Sequence, residues 1–124
     1  MSAENHVYWV LEGGVKEGKL DDLKGLISEM VTATKENEPG ALHYEFSLNE
    51  DGTRCNVQER YADSEATLTH LKNFGDNFAG RFMDALEIKR FTVYGNPDEQ
   101  TRNALDGLGA SYMVPADGFV RGHS

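Results

Sequence analysis

The chain has 124 residues, with 12 Lys and Arg against 21 Asp and Glu, a formal net charge of −9 and one cysteine. This length is enough for one domain with a hydrophobic core, and no apolar run is long enough to span a bilayer. An acidic chain without a basic cluster argues against nucleic acid as a partner, and a single cysteine excludes an internal disulfide.

The first two predicted elements are a strand and a helix. Residues 7–15 are rich in strand formers and end near a Gly-Gly pair. Residues 19–35 have a helical pattern, with acidic residues near the start, where the helix dipole favours anions. The positions at helical spacing are Leu20, Leu23, Ile27, Met30 and Thr34. Residues 37–40 end the helix because Pro39 cannot continue it.

Two alternating segments predict a β-hairpin. Residues 41–48 and 54–61 are joined by an Asn-Glu-Asp-Gly turn, and Asp-Gly is a strong hairpin signal. One face of the first strand is expected to carry Leu42, Tyr44, Phe46 and Leu48, and one face of the second Cys55, Val57, Glu59 and Tyr61. Because Glu59 shares a face with apolar residues, we expect it to be partly buried and to need a partner.

A second helix is predicted after a break at residues 62–64, with Asp63 or Ser64 as its N-cap. Its apolar stripe, at i, i+3, i+7 and i+11, consists of Leu71, Phe74, Phe78 and Phe82. His70 lies beside this stripe, and we expect it at a cavity edge in contact with water. Gly75 and Gly80 inside the helix cost about 1 kcal/mol each relative to Ala, and they mark either space for a ligand or a kink.

The last part of the chain predicts a fourth strand at residues 87–94 and then an extension. Asn96 as N-cap and Pro97 at the first helical position predict a short third helix that ends near residues 106–107. The strand-like residues 112–114 predict an extra strand or an arm.

The element order β-α-β-β-α-β predicts an α+β fold, a ferredoxin-like antiparallel sheet with both helices on one face. Its other face would stay bare, and burial against a second copy is the simplest solution, so a homodimer is expected. We expect one domain over residues 1–124, with a core of about 7–94 and a C-terminal extension of 95–124. The N-terminus lacks the order of a signal peptide, so a cytoplasmic location is expected.

Three segments resemble the antibiotic biosynthesis monooxygenase family, and the resemblance covers about residues 7–94. They are residues 38–46 (EPGALHYEF), residues 58–63 (QERYAD) and the helix with His70. The resemblance implies the dimeric α+β barrel fold, with Tyr44, Glu59 and His70 at family positions. Many members carry Ser-x-His-Phe shortly after this histidine, whereas residues 72–76 here read KNFGD.

The resemblance implies three alternative functions. The first is cofactor-free oxygenation of an aromatic, quinol-like molecule by O2, the second is non-catalytic binding or sensing of a small ligand, and the third is haem binding or degradation. In the first, a substrate that has lost a proton is electron-rich enough to reduce oxygen. The protein binds the ring, helps to remove the proton and shields the intermediate from water.

The candidate catalytic residues are His70 and Glu59. His70 is the natural base because its unperturbed pKa lies near neutrality, and the alternative is a hydrogen-bonded structural histidine. Glu59 has a structural alternative too, as a buried carboxylate that holds an amide, a helix end or an arginine. The candidate substrate-binding residues are Trp9, Tyr44, Tyr61, Asn73, Phe74, Asn77 and Phe78.

No metal or other cofactor is predicted. The four histidines, at positions 6, 43, 70 and 123, have no ligand spacing such as HExxH, and one cysteine excludes a cysteine-rich metal site. We expect Cys55 to behave as a small buried hydrophobic residue.

Overall fold

One mixed sheet forms the frame of the molecule, which we describe for residues 3–122 of a computed structural model. Its strands are β1 (Val7–Val15), β2 (Ala41–Leu48), β3 (Arg54–Tyr61), β4 (Leu86–Gly95) and β5 (Ser111–Met113). They lie in the order β2-β3-β1-β4-β5, and all neighbours are antiparallel except β4 and β5, which are parallel. The predicted α+β, ferredoxin-like fold is therefore confirmed, with β5 added at one edge.

The helices enclose a core against one face of this sheet. They are α1 (Leu20–Asn37), α2 (Ser64–Asn77), α3 (Ala79–Ala85) and α4 (Glu99–Asp106), and a 3-10 turn spans Ala3–Asn5. Alternate strand residues point into the core, because successive side chains of a strand face opposite sides. The buried apolar strand residues are Val7, Trp9, Leu11, Cys55, Val57, Tyr61, Leu86, Phe91 and Val93.

The second predicted helix is two helices in the structure. The break lies at Phe78, which ends α2 and precedes α3 with φ −131° and ψ −23°. It turns the chain so that Phe82 and Ala85 are buried in the core. The face that α2 buries is marked by Thr67 and His70 rather than by the predicted Phe stripe.

Two details of β2 differ from the prediction. The register against β3 shifts between Ala41 and His43, and this irregularity takes Leu42 out of the alternation. Leu42 is exposed, whereas Tyr44 and Phe46 are half-buried and face the helices. Leu48 is also exposed, next to the turn of the hairpin.

Helix α4 and strand β5 of the C-terminal extension pack against the rest of the chain. Helix α4 begins after Asp98, whose Oδ1 accepts a hydrogen bond from Thr101 N at 2.8 Å, so the predicted N-cap at Asn96 is wrong. Asp98 is the better cap because its carboxylate reaches the free amides of the first turn, and Pro97 consequently lies before the helix. Thr101 and Leu105 are fully buried, and the predicted extra strand is β5, paired with residues 92–94 of β4.

No helix of the described residues covers the outer face of the sheet. Tyr8, Val10 and Tyr94 lie half-buried on it, and the rings of Tyr8 and Tyr94 stack at 5.3 Å. Within residues 3–122, no helix is long and apolar enough to cross a membrane. His123 lies outside the described residues.

We predict that Leu105→Ala lowers the free energy of unfolding by about 2–5 kcal/mol, because it removes buried methyl groups and leaves a cavity. Chemical denaturation checks this value. The control is Asn103→Ala, an exposed position of the same helix, which is expected to change stability by less than about 0.5 kcal/mol. Equal stabilities of the two variants would show that the extension does not contribute to the core.

Candidate functional site

A buried histidine lies between two buried carboxylates. His70 Nδ1 lies 2.9 Å from Glu38 Oε1, and His70 Nε2 lies 3.2 Å from Glu59 Oε1. All three residues are less than a tenth exposed, so the prediction that His70 keeps contact with water is wrong. We call these three residues the charge unit.

Further hydrogen bonds hold the two carboxylates. Tyr61 OH donates to Glu59 Oε1 at 2.6 Å, and Asn73 Nδ2 donates to Glu38 Oε2 at 3.3 Å. Within residues 3–122, Glu59 Oε2 has no hydrogen bond, and Glu59 lines a cavity. One carboxylate oxygen of the charge unit is therefore available to a bound molecule.

The backbone around Glu38 explains how a helix end reaches α2. Glu38 is the C-cap of α1, and its amide donates to Thr34 O at 2.9 Å. The chain then turns at Gly40, where an added Cβ would lie 2.6 Å from the Cβ of Ala66. No side chain fits there, so the close approach of the turn to α2 requires glycine. On α2, His70 lies one turn beyond Ala66 and thus faces Glu38.

An aromatic shell surrounds the imidazole. Its centroid lies 4.9 Å from the ring of Tyr61, 5.2 Å from that of Tyr44 and 6.4 Å from that of Phe74. Aromatic rings attract a nearby cation through their quadrupole. They also exclude water, which strengthens the electrostatic interactions inside.

These surroundings keep His70 protonated at neutral pH. Burial alone would lower the pKa of His70, but the hydrogen bonds to Glu38 and Glu59, together with their charges, raise it from 6.5 to about 9. Both ring nitrogens then donate to carboxylates. Burial, followed by the negative charge of Glu59, raises the pKa values of Tyr44 and Tyr61 well above the usual 10.0, so both remain neutral phenols.

A cavity extends from the charge unit between the sheet and the helices. It is lined by Trp9, Leu11, Tyr44, Phe46, Val57, Glu59, His70, Leu71, Phe74, Phe82, Met83, Ile88, Phe91 and Leu108. The space that the centre of a water molecule can reach is about 30 Å³. One water needs about 10–15 Å³ of such space, so the cavity holds about two waters, and an aromatic ligand requires side chains to move.

The structure brings together most of the predicted site residues. Those that line the cavity are Trp9, Tyr44, Glu59, His70 and Phe74. Tyr61 and Asn73 lie behind it, where they hold the two carboxylates. Asn77 is exposed and donates to Asn73 O at 3.0 Å, and Phe78 is half-buried at the helix break; neither lines the cavity.

Sequence reasoning missed Glu38 as a functional residue. A carboxylate at a helix C-terminus is disfavoured by the helix dipole, so its position there indicates that Glu38 has a role other than stabilising the helix. It also missed apolar lining residues, because an inward-facing core position does not show whether it borders a cavity. These are Leu11, Phe46, Val57, Leu71, Phe82, Met83, Ile88, Phe91 and Leu108.

The fold and this site agree with a family assignment. Residues 7–75 match the antibiotic biosynthesis monooxygenase family, and because this match covers more than half of the chain, the chain belongs to that family. Membership supports a monooxygenase-like function and the binding of a small molecule. No curated protein matches the sequence.

Solved structures support the same fold. MupZ from Pseudomonas fluorescens is 26% identical with a TM-score of 0.82, and the match covers 95% of this chain and 96% of MupZ. Rv0793 from Mycobacterium tuberculosis is 23% identical, with a TM-score of 0.63 and coverage of 76% and 97%. A Bacteroides thetaiotaomicron protein, whose name assigns it provisionally to the antibiotic biosynthesis monooxygenases, is 18% identical, with a TM-score of 0.62 and coverage of 78% and 92%.

The pKa of His70 predicts a pH-dependent stability. Because the pKa is raised from 6.5 to about 9 on folding, the stabilisation is complete below about pH 6.5 and is lost as the pH rises through 9. Urea unfolding at pH 6, 7.5 and 9.5 measures it. The stability difference between the wild type and His70→Gln should shrink over this range, and a difference independent of pH would contradict a protonated His70.

Proposed function

We propose that the protein is a cofactor-independent monooxygenase that oxidises a small aromatic, quinol-like molecule with O2. The observation that carries this proposal is the charge unit at the wall of an aromatic cavity. A substrate of this class needs an apolar pocket, a proton acceptor and protection from water. Family membership supports the general class of reaction.

We assign Glu59 and His70 complementary roles in proton transfer. A histidine with a pKa of about 9 is already protonated at neutral pH, so it is not the base in the resting site. Glu59 accepts the substrate proton at Oε2, while the imidazolium of His70 stabilises the anion that forms. Because the proton moves from the substrate to Glu59 within the site, the net charge of the protein and substrate together does not change during this step.

The oxygenation step then balances without a cofactor. The phenolate formed by loss of the hydroxyl proton transfers one electron to O2, and the two radicals combine to form a carbon–oxygen bond at a ring carbon that bears a hydrogen. The peroxide takes back the proton from the charge unit and loses water, which leaves a carbonyl group. One O–H bond and one C–H bond of the substrate are broken, one oxygen atom of O2 enters the product, and the other leaves as water.

Haem does not fit the described residues. Both ring nitrogens of His70 are engaged by carboxylates at 2.9 and 3.2 Å, so neither is free to bind iron.

The raised pKa of His70 favours a second candidate function, which is proton transfer without oxygen. An imidazolium that lines a cavity can act as a general acid, with Glu59 as the matching base. Substrate turnover under strict exclusion of oxygen would support this function. Turnover that stops without oxygen, with one O2 consumed per product, would support oxygenation.

The oxygenase proposal predicts that His70→Gln lowers kcat for oxygen uptake by roughly 10²–10⁴-fold, the usual scale for a proton-transfer residue. Gln retains two N–H donors for the carboxylates, so the variant should fold, with a lower Tm. The measurement is oxygen consumption with a panel of quinols, per folded molecule. Glu59→Gln should lose activity to a similar extent.

The matched control for this prediction is His43→Gln. His43 is exposed on β2 and lies 2.9 Å from Glu45, away from the cavity. It should keep the wild-type kcat. Unchanged kcat in a folded His70→Gln protein would remove His70 from the mechanism and favour the non-catalytic binding protein.

We further propose a homodimer in which the outer sheet faces meet. The half-buried Val10 and Tyr94 lie on this face without a helix above them. Light scattering should give twice the chain mass of 13.8 kDa. Val10→Arg should produce monomers because it places a charge in the interface, whereas Ser28→Arg, at an exposed position of α1, should remain dimeric. A monomeric wild type at micromolar concentration would contradict the proposal.

A further inference from the structure

The cavity is completed by a residue from the C-terminal extension. Of the described residues that line it, Leu108 alone belongs to the extension after β4. Residues 96–124 make up 29 of the 124 residues, close to the share of this chain that Rv0793 lacks, since the match covers 76% of this chain and 97% of Rv0793. The match to MupZ covers 95% of this chain.

Leu108 lies at the far end of the cavity from the charge unit. Glu59 is on β3, and Leu108 lies in the turn that leads from α4 to β5, at the other side of the order β3-β1-β4-β5. Three strand spacings of about 4.8 Å separate β3 from β5 by roughly 14 Å. The cavity thus runs across the sheet, with a polar end at Glu59 and an apolar end at Leu108.

The backbone holds Leu108 firmly in this place. Its amide donates to Leu105 O at 2.9 Å, and the amide of Gly109 donates to Asp106 O at 3.0 Å. Gly109 has φ +82°, a left-handed conformation that favours glycine and lets the chain turn from α4 towards β5. Tyr112 then ties the two together, because its OH donates to Asp106 Oδ1 at 2.6 Å. Hydrogen bonds to α4 and from β5 therefore fix the turn that carries Leu108.

We infer that Leu108 is a specificity-determining residue that sets the length of the molecule the cavity accepts. This inference rests on the proposed function for the choice of ligand: a phenol whose hydroxyl meets the charge unit and whose apolar substituent points towards Leu108. A longer substituent meets the leucine side chain. A shorter one leaves apolar surface without contact, which weakens binding.

The test measures binding rather than turnover. Trp9 is the only tryptophan of the chain and lines the cavity, so its fluorescence reports on the occupied site. The probes are para-alkylphenols from ethyl to octyl, titrated without oxygen into the wild type, Leu108→Ala and Leu108→Phe. The control is Leu105→Val, which trims a buried residue of the same extension that does not line the cavity.

For the wild type we expect the dissociation constant to fall about fourfold per added methylene, up to an optimal chain length. Leu108→Ala should move this optimum to chains about two carbons longer, and Leu108→Phe should move it to shorter ones. Leu105→Val should leave it unchanged. The same optimum in all four proteins, or no quenching by any alkylphenol, would overturn the inference. A shifted optimum in a protein that consumes no oxygen would support Leu108 as the wall and refute the oxygenase.

Discussion

The site depends on a protonated histidine held between two carboxylates. Each buried charge alone would be costly, because desolvation opposes it. The imidazolium of His70 compensates part of the charge of Glu38 and Glu59, and leaves the unit one negative charge in excess. The remaining charge lies beside the cavity on a carboxylate with one free oxygen, and this is where a proton acceptor is useful.

Three separate parts of the chain must meet to form this arrangement. The end of α1 supplies Glu38, the end of β3 supplies Glu59, and the second turn of α2 supplies His70. The break between β3 and α2 is capped by Asp63, which accepts a hydrogen bond from Ala66 N at 2.8 Å. Gly40 lets the turn between α1 and β2 pack closely against Ala66 in the first turn of α2. The cap at Asp63 and the turn at Gly40 therefore also bring Glu38 and His70 together.

Strand alternation was the most informative sequence pattern. The bounds of β1, β2 and β3 were predicted correctly, because β1 and β3 each bury one face with a clear period of two and a turn signal separates β2 from β3. The break at Phe78 was not predictable from the apolar stripe, since both helices keep the same spacing of phenylalanines. The charge unit was predicted only in part: the burial of Glu59 followed from its face, but Glu38 meets His70 only through tertiary packing.

The site combines a rigid polar end with adaptable apolar walls. Glu59 and Trp9 sit on adjacent central strands, paired in register, and such positions move little. Phe74 and Met83 lie half-buried on either side of the helix break, and methionine adapts easily to the shape of a ligand. Because the closed cavity holds only about two waters, ligand entry must displace this adaptable side. Proton transfer can then stay constant while changes in the apolar walls select different substrates.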